Sequence, residues 1–378
     1  MRKIHISLVG GQPIPVYIGI KENGQANTVV LVCSAQSNVE AERIKAQFSK
    51  RDVQIRECSP TDLLQIEKLA NELREQYQDC EVTINLTSGT KLWALSFYQV
   101  FSDYASVHFI YVDQTNLLIN LKTKETRHCE IDINSRFELY GTPLKDYRSI
   151  NEYTSADLDV MRKVEKIRKI NKRAFSEMTN KVNHTELEED GVITDTSSGS
   201  SLEWTYLPKW AKITLKGSNG TKVEEFESEH VFDILFHAGW FELKVADVLR
   251  KTLPEAKDIR MNGMFVDSDG LAKNEFDIIV DCGTRLLFVE CKTMVFDTTD
   301  IDKFHSALRN FSGTSSSGLF VTYEKPNEYN KNKYKLAMEK CRDNDIQTFN
   351  YSLWNQNREH CPSLSQIVLD MISKQNKR

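Results

Sequence analysis

Over residues 3–134, short β-branched runs alternate with amphipathic segments, and this alternation constrains the fold more than any other feature of the chain. IHISLV, VVLVCS at 29–34, VQIREC at 53–58, VTINLT at 82–87 and VHFIYVD at 107–113 are separated by helical patterns near 38–50, 61–77 and 90–103. Repeated strand and helix of this kind predicts a parallel sheet with helices on both faces, a Rossmann-like layer architecture. LLINLKT at 117–123 and RHCEIDI at 127–133 read as an antiparallel hairpin appended to the edge of that sheet. At 378 residues the chain has room for a second domain.

The pattern changes further along. Residues 155–182 read as one polar spacer helix, opening at Ser155 and carrying Leu158, Met161, Val164, Ile167 and Ile170 on its apolar side. ELEEDGVITDTSSGSSLEW is acidic and then Gly/Ser-rich, the composition of a flexible connector, and a hairpin is expected around Gly217–Gly220. From Glu227 a single long helix is expected up to Pro254, followed by strands at 259–267, 275–282 and 285–293, a helix at about 300–311 and a strand at 317–323. The expected division is a Rossmann-like domain over 1–150, a helical and hairpin linker over 151–226 and a second α/β domain with a mixed sheet over 227–378.

The second domain carries a constellation of charge. Asp277 lies on one expected strand, Gly283 supplies a turn, and the next strand delivers Glu290, Cys291 and Lys292. A hairpin register brings Asp277 beside Glu290, and the two-residue period of a strand puts Glu290 and Lys292 on one face. Two hard carboxylates this close repel unless a cation lies between them, and Mg²⁺ or Mn²⁺ with oxygen ligands is the usual answer. The Cys291 carbonyl is a further candidate metal ligand. Lys292 is placed to orient or deprotonate an attacking water and to stabilise charge on a phosphate. Glu242 interrupts an apolar helix face of Leu235, Trp240, Val245 and Leu249, and a carboxylate in such a place needs a partner or a metal. Glu242, Asp277 and Glu290 are therefore the candidate metal carboxylates, and with Lys292 the candidate catalytic residues. The alternative is a plain Glu290–Lys292 ion pair on an exposed strand, against which Leu287, Phe288 and Val289 demand burial. His305 is a weaker candidate from the following helix.

N-E-F-D-I-I-V-D, the thirteen-residue step from Asp277 to Glu290, and F-V-E-C-K resemble the PD-(D/E)xK nuclease superfamily, in which Glu242 would be the helix acidic residue. Phe276 stands where the motif's proline would be.

The N-terminal half has neither G-x-G-x-x-G nor a Walker A string. It does have N-L-T-S-G-T-K at 85–91, where the small and hydroxylic residues Thr87, Ser88, Gly89 and Thr90 precede a helix and Lys91 adds charge, as a phosphate or nucleotide cradle requires. Gly11, Gln12 and Pro13 in V-G-G-Q-P, Ser34, Ala35 and Gln36 in C-S-A-Q-S, and the Asp113–Gln114 loop fall at the same carboxyl edge, where open α/β sheets bind ligands.

N-L-T-S-G-T-K resembles the N-x-T-G-G-T-K signature of CARF domains, the CRISPR-associated Rossmann-fold sensors of cyclic oligoadenylates, with Ser88 in place of the first glycine. Taken with the second domain, the chain is similar to CRISPR ancillary nucleases that fuse a CARF domain to a PD-(D/E)xK domain. The resemblance implies a homodimer that binds cyclic tetra-adenylate at its two-fold axis and then cleaves single-stranded DNA, double-stranded DNA or RNA with Mn²⁺ or Mg²⁺.

Other features bound this expectation. The net charge of −5 argues against a protein that coats nucleic acid, but a nuclease working through metal ions needs no uniformly basic surface. The eight cysteines show no C-x-x-C pair, and no leader-like or membrane-length apolar run is visible, so a cytoplasmic protein with reduced thiols is expected. A CARF-linked HEPN ribonuclease is excluded, because no histidine follows an arginine by four to six residues. Two alternatives remain: a restriction- or repair-type nuclease sensing another ligand, and a non-catalytic regulator that binds nucleic acid.

Overall fold

The computed structural model describes residues 1–266, 270–295, 297–311 and 316–375. Among them are three sheets. The first contains β1 (Lys3–Val9), β2 (Thr28–Cys33), β3 (Asp52–Glu57), β4 (Glu81–Asn85), β5 (Val107–Val112), β6 (Leu117–Asn120) and β7 (Thr126–His128) in the order β3-β2-β1-β4-β5-β6-β7. β1 to β5 are parallel and β6 and β7 form the antiparallel edge. β2 is buried at every residue, as a strand covered on both faces must be, and this accounts for its unbroken TVVLVC run.

The chain leaves this sheet through the helix Ile133–Leu139, capped by Asp132, whose carboxylate accepts from the Ser135 amide at 2.9 Å. β8 (Leu144–Ser149) already pairs with a strand of the C-terminal sheet. The expected single helix over 155–182 is two, Ser155–Ile167 and Lys172–Asn180, with Thr154 rather than Ser155 as the first cap. It is no spacer: Val160, Met161, Val164 and Ile167 are buried in a core shared with the helix Gly239–Thr252. The expected flexible connector is also corrected. β9 (Gly191–Asp195), β10 (Ser200–Thr205), β11 (Trp210–Gly217) and β12 (Gly220–Glu227) form an antiparallel sheet. The Ser-rich stretch is its first turn, where the Asp195 carboxylate accepts from the Ser198 amide and Ser197 hydroxyl, both at 3.0 Å. The hairpin at Gly217–Gly220 is where it was expected.

The expected long helix from Glu227 is likewise broken, into Val231–Leu235 and Gly239–Thr252. His237 and Ala238 take left-handed backbone conformations, and Gly239 sits where a Cβ would overlap the Asp233 carbonyl. This close turn aims the second helix, and Glu242 on it, at the C-terminal sheet.

That sheet continues with β13 (Asp258–Val266), β14 (Ala272–Asp281), β15 (Leu286–Lys292), β16 (Ser316–Thr322) and β17 (Gln347–Asn350), in the order β17-β16-β15-β14-β13-β8. It is mixed, antiparallel from β8 to β15 and parallel from β15 to β17. Asp267, the last residue of the expected strand 259–267, lies outside the described residues. On one face Ile278, Val280, Leu287 and Val289 pack under the helix Gly239–Thr252, and on the other Phe276, Ile279 and Phe288 pack with the helices Thr299–Phe311 and Ile133–Leu139. Among the described residues no helix is long and apolar enough to cross a membrane.

Candidate functional site

The β14–β15 ladder runs from Asp281↔Leu286 to Ile278↔Val289. Just beyond the end of that ladder the Asp277 carboxylate takes the Cys291 amide at 2.6 Å. Val289 and Cys291 belong to the core under the carboxylate-bearing helix, so strand alternation turns Glu290 and Lys292 to the opposite face. There the Lys292 ammonium meets the Glu290 carboxylate at 2.6 Å. Glu242 approaches Asp277 from the helix side and accepts from Asn262 Nδ2 at 2.9 Å. Asp277 is thus the meeting point between Glu242 on one side and Glu290 with Lys292 on the other.

The electrostatics record this crowding. Burial, then the Asp277 carboxylate, raises Glu242 well above the usual carboxylate range, against only partial relief from Asn262. Burial also raises Asp277, with Lys292 and the Cys291 amide opposing. Glu290 is pushed up to about 8 by burial and by Asp277. Burial works against the charge of Lys292, but Glu290 and Asp277 outweigh it and hold the ammonium above its ordinary value. In this state Lys292 is a charged hydrogen-bond donor rather than a base.

A cleft of about 640 Å³ opens beside Glu242, Asn262, Glu275 and Asp277, and Lys145 and Arg148 of β8 also line it, Arg148 paired with Asp233. Glu290, Lys292 and His305 do not line it. Among the described residues no three His, Cys, Asp or Glu side chains are already gathered in metal-binding geometry. Each carboxylate is instead tied to a local partner: Glu242 to Asn262, Asp277 to the Cys291 amide and Glu290 to Lys292. The donor chemistry still fits a hard divalent cation, with three carboxylates around a repulsive centre. At Cys291 it is the amide, not the carbonyl, that contacts this group. Sequence reasoning missed Asn262, whose φ of 53° in mid-strand swings its side chain towards Glu242. The Asn-Gly dipeptide inside an expected strand was the available signal.

In the N-terminal sheet a cavity of about 320 Å³ lies at the carboxyl ends of β1, β4 and β5, where the strand order reverses. Gly11, Gln12, Thr87, Ser88, Gly89, Asp113 and Gln114 line it. Ser88 ties two of the loops together, accepting from the Gly10 amide at 3.0 Å and donating to the Gln12 carbonyl at 3.3 Å. Gly10 and Gly89 approach so closely that a Cβ on Gly10 would come within 2.8 Å of the Gly89 nitrogen. The other expected residues lie elsewhere. Pro13 is buried at the start of the helix Pro13–Glu22, and Thr90 caps the helix Lys91–Phe101 by accepting from the Trp93 amide at 3.1 Å. Lys91 is exposed as the first residue of that helix. Ser34, Ala35 and Gln36 lie in and beside a short helical turn that Ser34 caps, outside the cavity lining. Tyr111, Asn116, Arg136 and Tyr140 line the cavity without having been singled out. Arg136 and Tyr140 come from a segment beyond the strands, which no local motif marks.

Residues 4–140 match the family model of the Card1 CARF domain. A search of curated proteins by sequence finds no match. Among solved structures, the chain is similar to Can2 from Sulfobacillus thermosulfidooxidans, determined in complex with cyclic tetra-adenylate. The TM-score is 0.65 at 17% identity, covering 94% of this chain and 98% of that one. It is similar to protein VC1899 from Vibrio cholerae with a TM-score of 0.69 at 15% identity, covering 96% and 97%. A type III CRISPR defence DNA nuclease activated by cyclic oligoadenylate matches with a TM-score of 0.54 at 17% identity, covering 86% of this chain and 46% of that one. The chain thus spans about half of that nuclease and nearly the whole of the other two. At these identities the likeness is one of fold.

Proposed function

We propose that this chain is a metal-dependent endonuclease of type III CRISPR defence that a cyclic oligoadenylate, cyclic tetra-adenylate first among them, switches on. Sensing is assigned to residues 1–150 and cleavage to residues 227–378, in a homodimer that takes the ligand across its two N-terminal domains. The CARF match over residues 4–140 supports the sensing half. The complex of Can2 with cyclic tetra-adenylate and the activation of the related DNA nuclease by cyclic oligoadenylate support the ligand class.

One observation carries the cleavage half: Asp277 is held between Glu242 and Glu290, with Lys292 as the compensating cation. Such a group destabilises a resting chain and has a use once a divalent cation joins it. Glu242, Asp277 and Glu290, with the Cys291 carbonyl, would hold Mn²⁺ or Mg²⁺, which when bound activates water and neutralises phosphate charge. Lys292, kept charged, then stabilises the charge that develops on the attacked phosphate. Lys145, in the lining of the cleft, offers positive charge to the substrate backbone. Single-stranded DNA, double-stranded DNA and RNA all present the same phosphodiester to this chemistry.

The test incubates the full chain with labelled single-stranded DNA, supercoiled plasmid and RNA. Mn²⁺ or Mg²⁺ is supplied with and without cyclic tri-, tetra- and hexa-adenylate. Cleavage that appears only with metal and one of the rings, and is lost in Glu290→Ala, is the expected result. Cleavage indifferent to all three rings would move the reading to a restriction-type enzyme. Mn²⁺-dependent cleavage surviving in Glu290→Ala would sink the assigned site.

A further inference from the structure

Arg136 is 2% exposed and lines the strand-end cavity, yet its Nε has no hydrogen-bond partner among the described residues. Asn116, 4% exposed and lining the same cavity, leaves its Nδ2 equally unpaired among the described residues. Two buried N–H donors without acceptors, on residues that line one cavity, are costly unless an anion entering it completes them. Burial pulls Arg136 below its ordinary value and Asp281 compensates only in part, so the guanidinium is a buried cation short of negative charge.

The same guanidinium also reaches the second domain. Its Nη2 donates to the carbonyl of Gly283 at 3.3 Å. Gly283, at φ 85°, lies in the turn joining β14 to β15, the hairpin that carries Asp277 and Glu290. The helix bearing Arg136 is itself shared between the halves. Ile133 and Phe137 are buried with Phe276, Leu286 and Phe288 of the hairpin, whereas Leu139 is buried in the core of the N-terminal sheet.

We propose that Arg136, assisted by Asn116, binds a phosphate of the ligand in the strand-end cavity and, through Gly283, transmits its presence to the β14–β15 hairpin. The proposal rests on reading the cavity as a cyclic oligoadenylate site and adds the residue that couples it to cleavage. A guanidinium presents its five N–H groups in a rigid fork. With Nε and one N–H of Nη2 engaged by a phosphate, the second N–H of Nη2 has its direction set towards Gly283. The ligand then orders the hairpin turn through a single side chain, with no helix having to travel.

The experiment uses the full chain, calorimetry with cyclic tetra-adenylate, and hydrogen exchange over the β14–β15 hairpin with and without that ligand. Arg136→Lys keeps the charge but not the fork, and Asn116→Gly suits the left-handed backbone at that position, φ 61°. In the wild type the ligand is expected to slow exchange at the hairpin turn. Arg136→Lys is expected to bind about tenfold or more weakly and to lose that slowing even at saturation. Asn116→Gly is expected to bind about fivefold more weakly but to keep the slowing once saturated. Wild-type affinity in both variants, or ligand-dependent slowing that persists in Arg136→Lys, would overturn the proposal. Should Arg136→Lys fail to fold, Asn116→Gly and the wild-type exchange pattern each still decide: unchanged affinity in the first, or a hairpin indifferent to ligand in the second, overturns it. If the wild type binds no cyclic tetra-adenylate, the reading of the cavity itself falls and takes this inference with it. Binding without dependence on Arg136 and Asn116 removes the inference alone.

Discussion

Replacing Glu290 by glutamine is expected to abolish cleavage and to make the metal-free protein more stable, the opposite of what loss of a structural ion pair does. The Glu290 carboxyl is 13% exposed and is raised from 4.5 to about 8. Below 4.5 the folded and unfolded chains both carry its proton. Between 4.5 and about 8 the unfolded chain gives the proton up while the folded chain keeps it, so stability falls as pH rises. At about 1.4 kcal/mol per unit, the full loss above pH 8 approaches about 5 kcal/mol, lowered by whatever water reaches the site as it relaxes. Glutamine has no proton to lose and can still accept from Lys292. The variant should therefore match the wild type near about pH 4 and exceed it by several kcal/mol near about pH 9. Urea unfolding in EDTA at the two pH values measures the difference, and the plasmid and RNA assays measure the loss of activity. A variant less stable than the wild type at alkaline pH would show that Glu290 and Lys292 are an ordinary ion pair, and the case for a functional carboxylate there would fail.

Other consequences are open to measurement. Asn262→Gly retains the left-handed backbone but removes the donor to Glu242, so cleavage is expected to drop about 10- to 100-fold with little change in unfolding midpoint; full activity would remove Asn262 from the site. His5 is wholly buried against Ser7 and is lowered from 6.5 to about 3, by burial and then by Arg51. The unfolded chain gains that proton below 6.5 while the folded one refuses it, so stability present above 6.5 is lost as pH falls towards 3, by about 1.4 kcal/mol per unit. His5→Asn should flatten this acid limb in urea unfolding, and an unchanged limb would place the acid sensitivity elsewhere. Lys91→Ala is expected to weaken activation only about threefold, as an exposed cation beside the cavity should; a complete loss of response would mean that Lys91 contacts the ligand directly.

What was legible in the sequence was whatever chain-local periodicity encodes. The parallel strands of the N-terminal sheet, its hairpin edge, and the strand, turn, strand order around Asp277 and Glu290 follow from runs of apolar residues and one glycine, because side-chain alternation and turn chemistry act over a few positions. Periodicity does not register a backbone reversal such as that at His237 and Ala238, after which Gly239 passes too close to the Asp233 carbonyl for any side chain. The Ser-rich segment passed for a connector because the strands around it gain their stability from a distant core, not from their own composition. Only the tertiary structure could decide that Asn262 reaches Glu242, that Ser34 and Thr90 serve as caps outside the cavity, and that Arg136 stands between cavity and hairpin. Arg136 and Gly283 lie 147 positions apart. The free energy of placing one beside the other resides in the two cores that share a single short helix, and no window of sequence contains both.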